Sequence, residues 1–189
     1  MGSVYLARDT KLERSIALKV LPPDVADDPT VLARFRQEAR AIAAVNHPNI
    51  VVIHSVEEVG ETHFITMELI RGRPLADALS KDGLSVAEVL RVSIALADAL
   101  SAAHDKGVIH RDLKPANVMV GEDGRVRILD FGLAKLRPPD PGGGGEDDPT
   151  ATATRLGMVV GTVPYMSPEQ LKGEEVDPRT DIFSLGVLV

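Results

Sequence analysis

The sequence predicts an α+β protein of two lobes, the first rich in strands and the second mostly helical, which meet near residue 70. Two observations carry this prediction. In the first 70 of the 189 residues, short runs of strand-forming residues surround a single amphipathic helix pattern. Beyond them, apolar residues recur mainly at helical spacing. A chain of this length can bury two modest cores.

The first lobe begins with a predicted hairpin. The runs SVYLAR and SIALKVL are rich in strand formers, and the polar DTKLER joins them. A helix is expected from Pro29 to Val45, because apolar residues recur every three or four positions and Asp28 can cap its start. Two more strands, IVVIHSVEE and THFITMELI, follow on either side of a turn at Gly60, and RGRP then breaks the pattern.

The second lobe contains the strongest helix pattern in the chain. Ser85 and Glu88 have capping-box spacing ahead of a long apolar-periodic run that stops at Gly107. NVMV and RVRIL predict a hairpin around GEDG. RPPDPGGGGEDDPTATAT has too little apolar content to order itself, so we expect a mobile loop there. The closing DIFSLGVLV predicts an apolar helix without a C-terminal cap.

Composition excludes several classes of function. With 21 Lys and Arg against 28 Asp and Glu, the net charge of −7 disfavours a nucleic-acid surface, which needs clustered cations. The chain has no cysteine, and its five histidines lack zinc-ligand spacing, so a zinc site is not expected. No apolar run approaches the roughly 20 residues of a bilayer span. We expect a cytoplasmic segment without membrane contact, any membrane anchor lying outside it.

The residues best suited to chemistry lie in HRDLKPANVMV and in the DFG that follows it. Phosphoryl transfer needs hard oxygen ligands for divalent ions, a base for the attacking hydroxyl and cations against the phosphate oxygens. Taken alone, each aspartate has an alternative role in turn chemistry, since Asp often caps a loop. The loops beside the predicted hairpin supply two carboxylates, an amide and an ammonium group: Asp112, Lys114, Asn117 and Asp130.

These motifs, in this order, resemble the eukaryotic-type protein kinases, in particular the bacterial eukaryotic-like serine/threonine kinases. IALK resembles the third-strand lysine motif and HPNIV is a common family phrase. LKPAN, together with Thr162 in GTVPYMSPE, resembles serine/threonine kinases more than tyrosine kinases, although Ser167 replaces the usual alanine before Pro-Glu. The resemblance implies a bilobal protein kinase fold, with residues 1–70 as the N-lobe and residues 71–189 as the C-lobe.

In the first lobe the resemblance implies contacts with ATP. Lys19 is expected to bind the α- and β-phosphates and to form an ion pair with Glu38 on the helix. The alternative for Lys19 is a solvated lysine on an edge strand. The other expected ATP contacts belong to the glycine-rich loop, the adenine sandwich and the linker between the lobes: Gly2, Val4, Ala17, Met119, Met67 as gatekeeper, and the backbones of Glu68 and Ile70.

In the second lobe the resemblance implies the catalytic groups. Asp112 is expected to accept the proton of a substrate hydroxyl, and Lys114 to offset charge on the transferred phosphoryl group. Asn117 and Asp130 are the expected Mg²⁺ ligands. Asp181 is expected to hold the catalytic-loop backbone from the helix below it.

The resemblance also implies an apolar stack and a regulatory loop. The stack consists of Ile42, Ile53, His110 and Phe131, so His110 is expected to be structural. For regulation, the positions of Arg111 and Lys135 are those that hold a phosphate on the activation loop. Thr152 and Thr154 fit that phosphate best by spacing, with an unmodified linker as the alternative for each threonine.

The register of the first residues predicts truncation. Gly2 and Val4 match the last glycine and the valine of G-x-G-x-x-G-x-V, which places the earlier glycines before Met1. The predicted final helix also stops without a polar end, so we expect a catalytic domain incomplete at both termini. The predicted function is an ATP- and Mg²⁺-dependent serine/threonine protein kinase that phosphorylates proteins, including itself in trans. The alternatives are a nucleotide-binding pseudokinase or scaffold, and an inactive fragment.

Overall fold

The computed structural model of the chain describes residues 3–22, 26–79, 83–131 and 163–189. Its strands are β1 (Val4–Asp9), β2 (Arg14–Val20), β3 (Ile53–Val59), β4 (Thr62–Glu68), β5 (Gly72–Pro74), β6 (Val118–Gly121) and β7 (Val126–Ile128). Its α-helices are α1 (Pro29–Ala43), α2 (Leu75–Ala78), α3 (Val86–His104), α4 (Pro168–Lys172) and α5 (Pro178–Leu188). Short 3₁₀ turns cover Pro115–Asn117 and Val163–Tyr165. The loop expected over RPPDPGGGGEDDPTATAT lies outside the described residues.

Strands β1 to β4 form an antiparallel sheet in the order β1-β2-β4-β3. The predicted hairpin is confirmed, because Val4 of β1 pairs with Lys19 of β2. On its other side, Lys19 pairs with Ile65 of β4. Strand β2 therefore lies inside the sheet, and the edge-strand alternative for Lys19 is wrong. Neighbours on both sides fix the backbone of Lys19 and so limit where its ammonium group can reach.

Helix α1 covers one face of this sheet. The predicted cap is present, since the Asp28 carboxylate accepts the N–H groups of Thr30 and Val31 at 2.8 and 3.2 Å. The helix ends at Ala43, slightly before the predicted end. Its buried residues are Val31, Phe35, Ala39 and Ile42, and the first three pack with Leu21, Val51, Ile65 and Met67 into the core of the small lobe.

The segment after α1 fastens the small lobe to the large one. The Asn49 carbonyl accepts the Ile128 N–H at 2.8 Å, and the Val51 N–H donates to the Ile128 carbonyl at 3.0 Å. The Asn49 side chain also donates to the Val126 carbonyl at 2.6 Å. Because Ile128 ends β7 just before Asp130, these bonds fix the end of α1 relative to the strand that leads into the DFG motif.

The large lobe is built around α3. Its predicted capping box is confirmed: the Glu88 N–H donates to Ser85 Oγ at 3.3 Å, and the Ser85 N–H donates to Glu88 Oε2 at 2.9 Å. The apolar face of α3 is buried through Val92, Leu96, Ala99, Leu100 and Ala103. Among the described residues, no helix is both long and apolar enough to cross a membrane.

Strands β5, β6 and β7 form a second sheet beside α3, in the order β5-β6-β7. The predicted hairpin of β6 and β7 is confirmed. Strand β5 is a correction, because the sequence pattern of RGRP indicates only a break. Gly72 of β5 pairs with Gly121 of β6, and a Cβ at Gly72 would meet the Val120 carbonyl oxygen at 2.1 Å. The glycine therefore permits this close pairing. The chain changes from one sheet to the other between β4 and β5.

Leu96 should be a main contributor to the stability of the large lobe. It is fully buried in the core, whereas Ile94 on the same helix is 69% exposed. We expect Leu96→Ala to lower the free energy of unfolding by about 2–5 kcal/mol through lost burial and the cavity it leaves. Ile94→Ala should change it by less than about 0.5 kcal/mol. Urea denaturation measures both, and equal losses would contradict this assignment of the core.

Candidate active site

Asp181, in the first turn of α5, lies beneath the loop that carries the HRD motif. Its side chain is fully buried. Its Oδ2 accepts the N–H of His110 at 2.8 Å, and its Oδ1 accepts the N–H of Arg111 at 2.9 Å. The contact expected of Asp181 is therefore present. Arg111 has a φ of +64°, a left-handed conformation that costs a non-glycine residue about 1–3 kcal/mol unless its surroundings hold it.

His104 completes the set of donors around this carboxylate, and the sequence analysis missed it. It is the last residue of α3, and its Nε2 lies 2.7 Å from Asp181 Oδ2. The available signal was a histidine at the C-terminal end of an otherwise apolar helix. The bond ties α3, α5 and the catalytic loop together at one atom.

Two of the predicted catalytic side chains and one predicted Mg²⁺ ligand lie in direct contact. Asp112, Lys114 and Asn117 are all buried, each at most 8% exposed. Lys114 Nζ lies 2.8 Å from Asp112 Oδ2. The Asn117 amide nitrogen donates to the same Oδ2 at 3.0 Å and to the Asp112 backbone carbonyl at 2.9 Å. The loop thus holds the Asp112 carboxylate in one orientation between a cation and an amide.

His110 bridges the two segments that carry the key aspartates. Its Nε2 lies 2.8 Å from the Leu129 carbonyl oxygen, and its Nδ1 lies 3.2 Å from the backbone nitrogen of Asp112. A carbonyl can only accept and a backbone N–H can only donate, so this geometry requires the neutral imidazole with its proton on Nε2. Burial lowers the pKa of His110, and the nearby Asp181 only partly offsets that effect.

The expected ion pair between Lys19 and Glu38 is not formed, which corrects the sequence analysis. Lys19 Nζ lies 2.7 Å from Asp130 Oδ1, and Glu38 Oε1 instead accepts Arg111 Nη1 at 2.8 Å. The carboxylates of Asp130 and Glu38 thus each have a cationic partner within hydrogen-bond distance, although Glu38 does not have the expected one. The spacing of charged residues along the chain does not distinguish the two sets of pairs.

Glu38 carries an electrostatic cost in this arrangement. Burial raises the pKa of its carboxyl, and the pairing with Arg111 offsets this only partly. Its second oxygen, Oε2, is buried and makes no hydrogen bond among the described residues. Glu38 therefore still has an acceptor for a further cationic donor.

The two expected Mg²⁺ ligands fit a site completed by phosphate oxygens. The Asn117 side chain donates both of its hydrogen bonds to Asp112 through the amide nitrogen, which leaves the oxygen Oδ1 as the atom that can bind a cation. Asp130 supplies a carboxylate two residues after the end of β7, with a φ of +56°. Within the described ranges, no cluster of three or more His, Asp or Glu side chains converges as a metal site. One amide and one carboxylate suit Mg²⁺, which commonly takes its other ligands from phosphates and water.

The residues expected to contact adenine are divided between the two lobes. Ala17 on β2 pairs with Met67 on β4, and Met67 is buried in the small-lobe core. Met119 lies on β6 of the large lobe. The Glu68 backbone N–H already donates to the Val52 carbonyl at 2.9 Å. The remaining two residues of this set that the structure describes are Val4, which is exposed, and Ile70, which packs against the small-lobe core.

The predicted stack between the lobes is confirmed by packing. Ile42 and Phe131 are each 2% exposed and belong to the core of the large lobe, against which Ile53 also packs. The ring of His110 lies 4.8 Å from that of Phe131, centroid to centroid. The remaining predicted site residues lie outside the described residues: Gly2, Lys135, Thr152, Thr154 and Thr162.

Comparison with known proteins identifies this combination of fold and site. Residues 1–189 match the family profile described as Protein kinase domain. This chain belongs to the protein kinase family. The kinase chain is 41% identical over 199 residues to the probable serine/threonine-protein kinase PknB of Bifidobacterium longum, covering 100% of the chain and 28% of that protein. It is 39% identical over 194 residues to the serine/threonine-protein kinase PknA of Mycobacterium tuberculosis, covering 100% of the chain and 42% of PknA.

A solved kinase domain supports the fold. The crystal structure of the Mycobacterium tuberculosis PknI kinase domain matches this kinase with a TM-score of 0.75 at 30% identity, covering 100% of the chain and 65% of the PknI chain. The bilobal kinase fold and the bacterial serine/threonine class expected from the motifs are thus confirmed. The kinase chain spans less than half the length of these curated relatives.

Acid should destabilise the kinase through His110. The unfolded chain takes up a proton on this histidine near its ordinary pKa of about 6.5, whereas the folded state resists the proton. Stability should therefore fall as the pH drops below about 6.5, by at most about 1.4 kcal/mol per pH unit from this group. Urea denaturation between pH 5 and 8 measures the slope.

His110→Phe should flatten that slope, because the variant removes the titrating group. His54→Gln is the control. The pKa of His54 is also lowered by burial, but His54 is only half-buried whereas His110 is fully buried, so most of the slope should remain. An unchanged slope in His110→Phe would contradict the neutral assignment of His110.

Proposed function

We propose that this chain carries the catalytic site of a serine/threonine protein kinase, which transfers the γ-phosphoryl group of ATP to hydroxyl groups of protein substrates. One observation carries the proposal. The buried Asp112 carboxylate lies 2.8 Å from Lys114 Nζ and 3.0 Å from the Asn117 amide nitrogen, and His110 joins its backbone to Leu129, the residue before the Asp130 that pairs with Lys19. These are the groups that phosphoryl transfer to a hydroxyl requires.

Asp112 is the base in this mechanism. As the substrate hydroxyl oxygen bonds to the γ-phosphorus, its proton passes to the Asp112 carboxylate, and the bond from the γ-phosphorus to the bridging oxygen breaks to release ADP. The Asn117 amide keeps the carboxylate aimed at the hydroxyl. Lys114, held beside Asp112, offsets negative charge on the transferred group.

Asn117 Oδ1 and the Asp130 carboxylate would hold Mg²⁺, which neutralises charge on the phosphates. Lys19 now occupies Oδ1 of Asp130, so Mg²⁺ at that carboxylate would compete with Lys19 for it. We propose that Lys19 then moves to the α- and β-phosphates and to the buried Oε2 of Glu38, the ion pair expected from the sequence. Asp130 and the phosphates thus compete for one ammonium group.

The nucleotide itself would lie between the lobes. Val4 and Ala17 from the small lobe and Met119 from the large lobe would enclose the adenine, with Gly2 at the phosphates. At the linker, the Glu68 carbonyl and the Ile70 backbone would meet the adenine edge, because the Glu68 N–H is already used by Val52. Met67 would bound the back of the pocket. The cytoplasmic location of the segment and any membrane anchor outside it stay predictions from the sequence.

Asp112→Asn should abolish most of the activity. The amide cannot accept the hydroxyl proton, so kcat should fall at least about 10²-fold, while the KM for ATP should change little. Radiolabelled phosphate transfer from ATP to a generic protein acceptor measures this in the full-length protein. Asp105→Asn, at the exposed end of α3, is the matched control and should keep wild-type activity.

Two outcomes would redirect this proposal. A kcat of Asp112→Asn within threefold of wild type would remove Asp112 from the role of base. If Mg-ATP raised the Tm of the wild-type protein but no phosphate reached itself or another protein, the pseudokinase or scaffold alternative would replace the kinase.

Autophosphorylation should activate the enzyme. A phosphate on Thr152 or Thr154 could bind Arg111 and Lys135, and would compete with Glu38 for the Arg111 guanidinium, which now lies 2.8 Å from Glu38. Mass spectrometry should find phosphate at Thr152 or Thr154 in the active protein and none in Asp112→Asn alone. Mixing Asp112→Asn with active enzyme should restore it if the reaction occurs in trans.

The double variant Thr152→Ala, Thr154→Ala should lower kcat by about tenfold or more, the loss expected when a charge-assisted ordering contact is missing. Thr150→Ala, outside the favoured spacing, is the control variant and should keep most of the wild-type kcat. Wild-type activity in the double variant would show that neither threonine is the regulatory site.

A further inference from the structure

Gln170, on α4, touches the catalytic loop at the peptide unit that precedes the proposed base. Its side chain is 8% exposed, and its amide nitrogen donates to the Arg111 carbonyl at 2.7 Å. That carbonyl and the N–H of Asp112 belong to the same planar peptide unit. The N–H end of the unit meets His110 Nδ1 at 3.2 Å. Gln170 therefore contributes the shorter of these two bonds.

The backbone at this position needs such support. Arg111 has a φ of +64°, and its own N–H is held by Asp181 Oδ1 at 2.9 Å. If its carbonyl end were released, the peptide unit between Arg111 and Asp112 could rotate and relieve the strained conformation. Rotation of that unit would turn the Asp112 side chain away from the position in which Lys114 and Asn117 hold it.

The oxygen and the nitrogen of the Gln170 side-chain amide bind different partners. The side-chain oxygen accepts the backbone N–H of Ser167 at 3.2 Å. The backbone N–H of Gln170 donates to Ser167 Oγ at 3.4 Å, and these two bonds form the capping box of α4. Only the amide nitrogen reaches the catalytic loop. A glutamate has the same shape and keeps the capping oxygen, but it lacks the donor. The chain thus offers a substitution that separates capping from contact with the loop.

We propose that Gln170 is a positioning residue of the kinase: its amide nitrogen fixes the peptide unit between Arg111 and Asp112 and so sets the orientation of the base. This rests on the proposed function for its effect on turnover, but not for its effect on the loop. Since α4 follows the segment 132–162 in the chain, the bond also makes the geometry of Asp112 depend on where that helix is seated.

The experiment compares Gln170→Glu, Gln170→Met and Ser167→Ala in the full-length protein. Both Gln170 variants lose the donor to the Arg111 carbonyl, one with and one without an added charge. We expect kcat to fall at least about tenfold in both, with the KM for ATP within about threefold, because positioning of the base acts on the chemical step. Ser167→Ala weakens the cap and leaves the Gln170 donor, so stability should fall while kcat stays within about twofold.

Hydrogen exchange gives a readout that does not require activity. The amides of residues 108–117 should exchange faster in both Gln170 variants than in wild type under native conditions, and Ser167→Ala should not reproduce this once global stability is matched with urea. If wild-type protein transfers no phosphate, the proposed function fails, and the exchange data still decide on Gln170. Wild-type exchange and, where activity is present, wild-type kcat in both folded Gln170 variants would overturn the proposal.

Discussion

The candidate site depends on one buried carboxylate, that of Asp181. Burying an ionised carboxylate costs several kcal/mol unless donors surround it. Here the backbone N–H groups of His110 and Arg111 and the ring of His104 surround it. The same bonds hold Arg111 in its left-handed conformation. The loop N–H groups therefore stabilise the buried carboxylate, and the carboxylate holds the strained loop. Removing the Asp181 carboxylate would release the loop, and moving the loop would leave a buried charge without donors.

The catalytic loop held by Asp181 is also bonded to the segment that precedes Asp130. The imidazole of His110 lies within hydrogen-bond distance of both the N–H of Asp112 and the carbonyl of Leu129. The backbones of the proposed base and of the residue before Asp130 are therefore connected through one side chain. Asn49 and Val51 bind β7 just upstream. Both lobes thus contact the strand that leads to Asp130, which explains how residues far apart in the chain can form one site.

Four charged side chains at the cleft can pair in two ways. In the structure Lys19 binds Asp130 and Glu38 binds Arg111. The family resemblance instead implies a pair of Lys19 and Glu38. Long, flexible side chains of opposite charge gain similar Coulomb energy from either partner at these distances, so burial and the position of α1 decide between them. Burial raises the pKa of Glu38, and the Arg111 pairing offsets this only partly, so its present surroundings disfavour the ionised carboxylate.

The sequence by itself determined the features that rest on local chemistry: the caps at Asp28 and Ser85, the two hairpins, the apolar face of α3 and the motif residues of the catalytic loop. Their signals lie within a few residues of one another, where propensity and periodicity act directly. Tertiary structure alone decided which charges pair, that Gly72 begins a strand, and that His104 and Gln170 reach the catalytic loop. Those contacts join residues distant in sequence, and their energies depend on burial and distance, which spacing along a chain does not record.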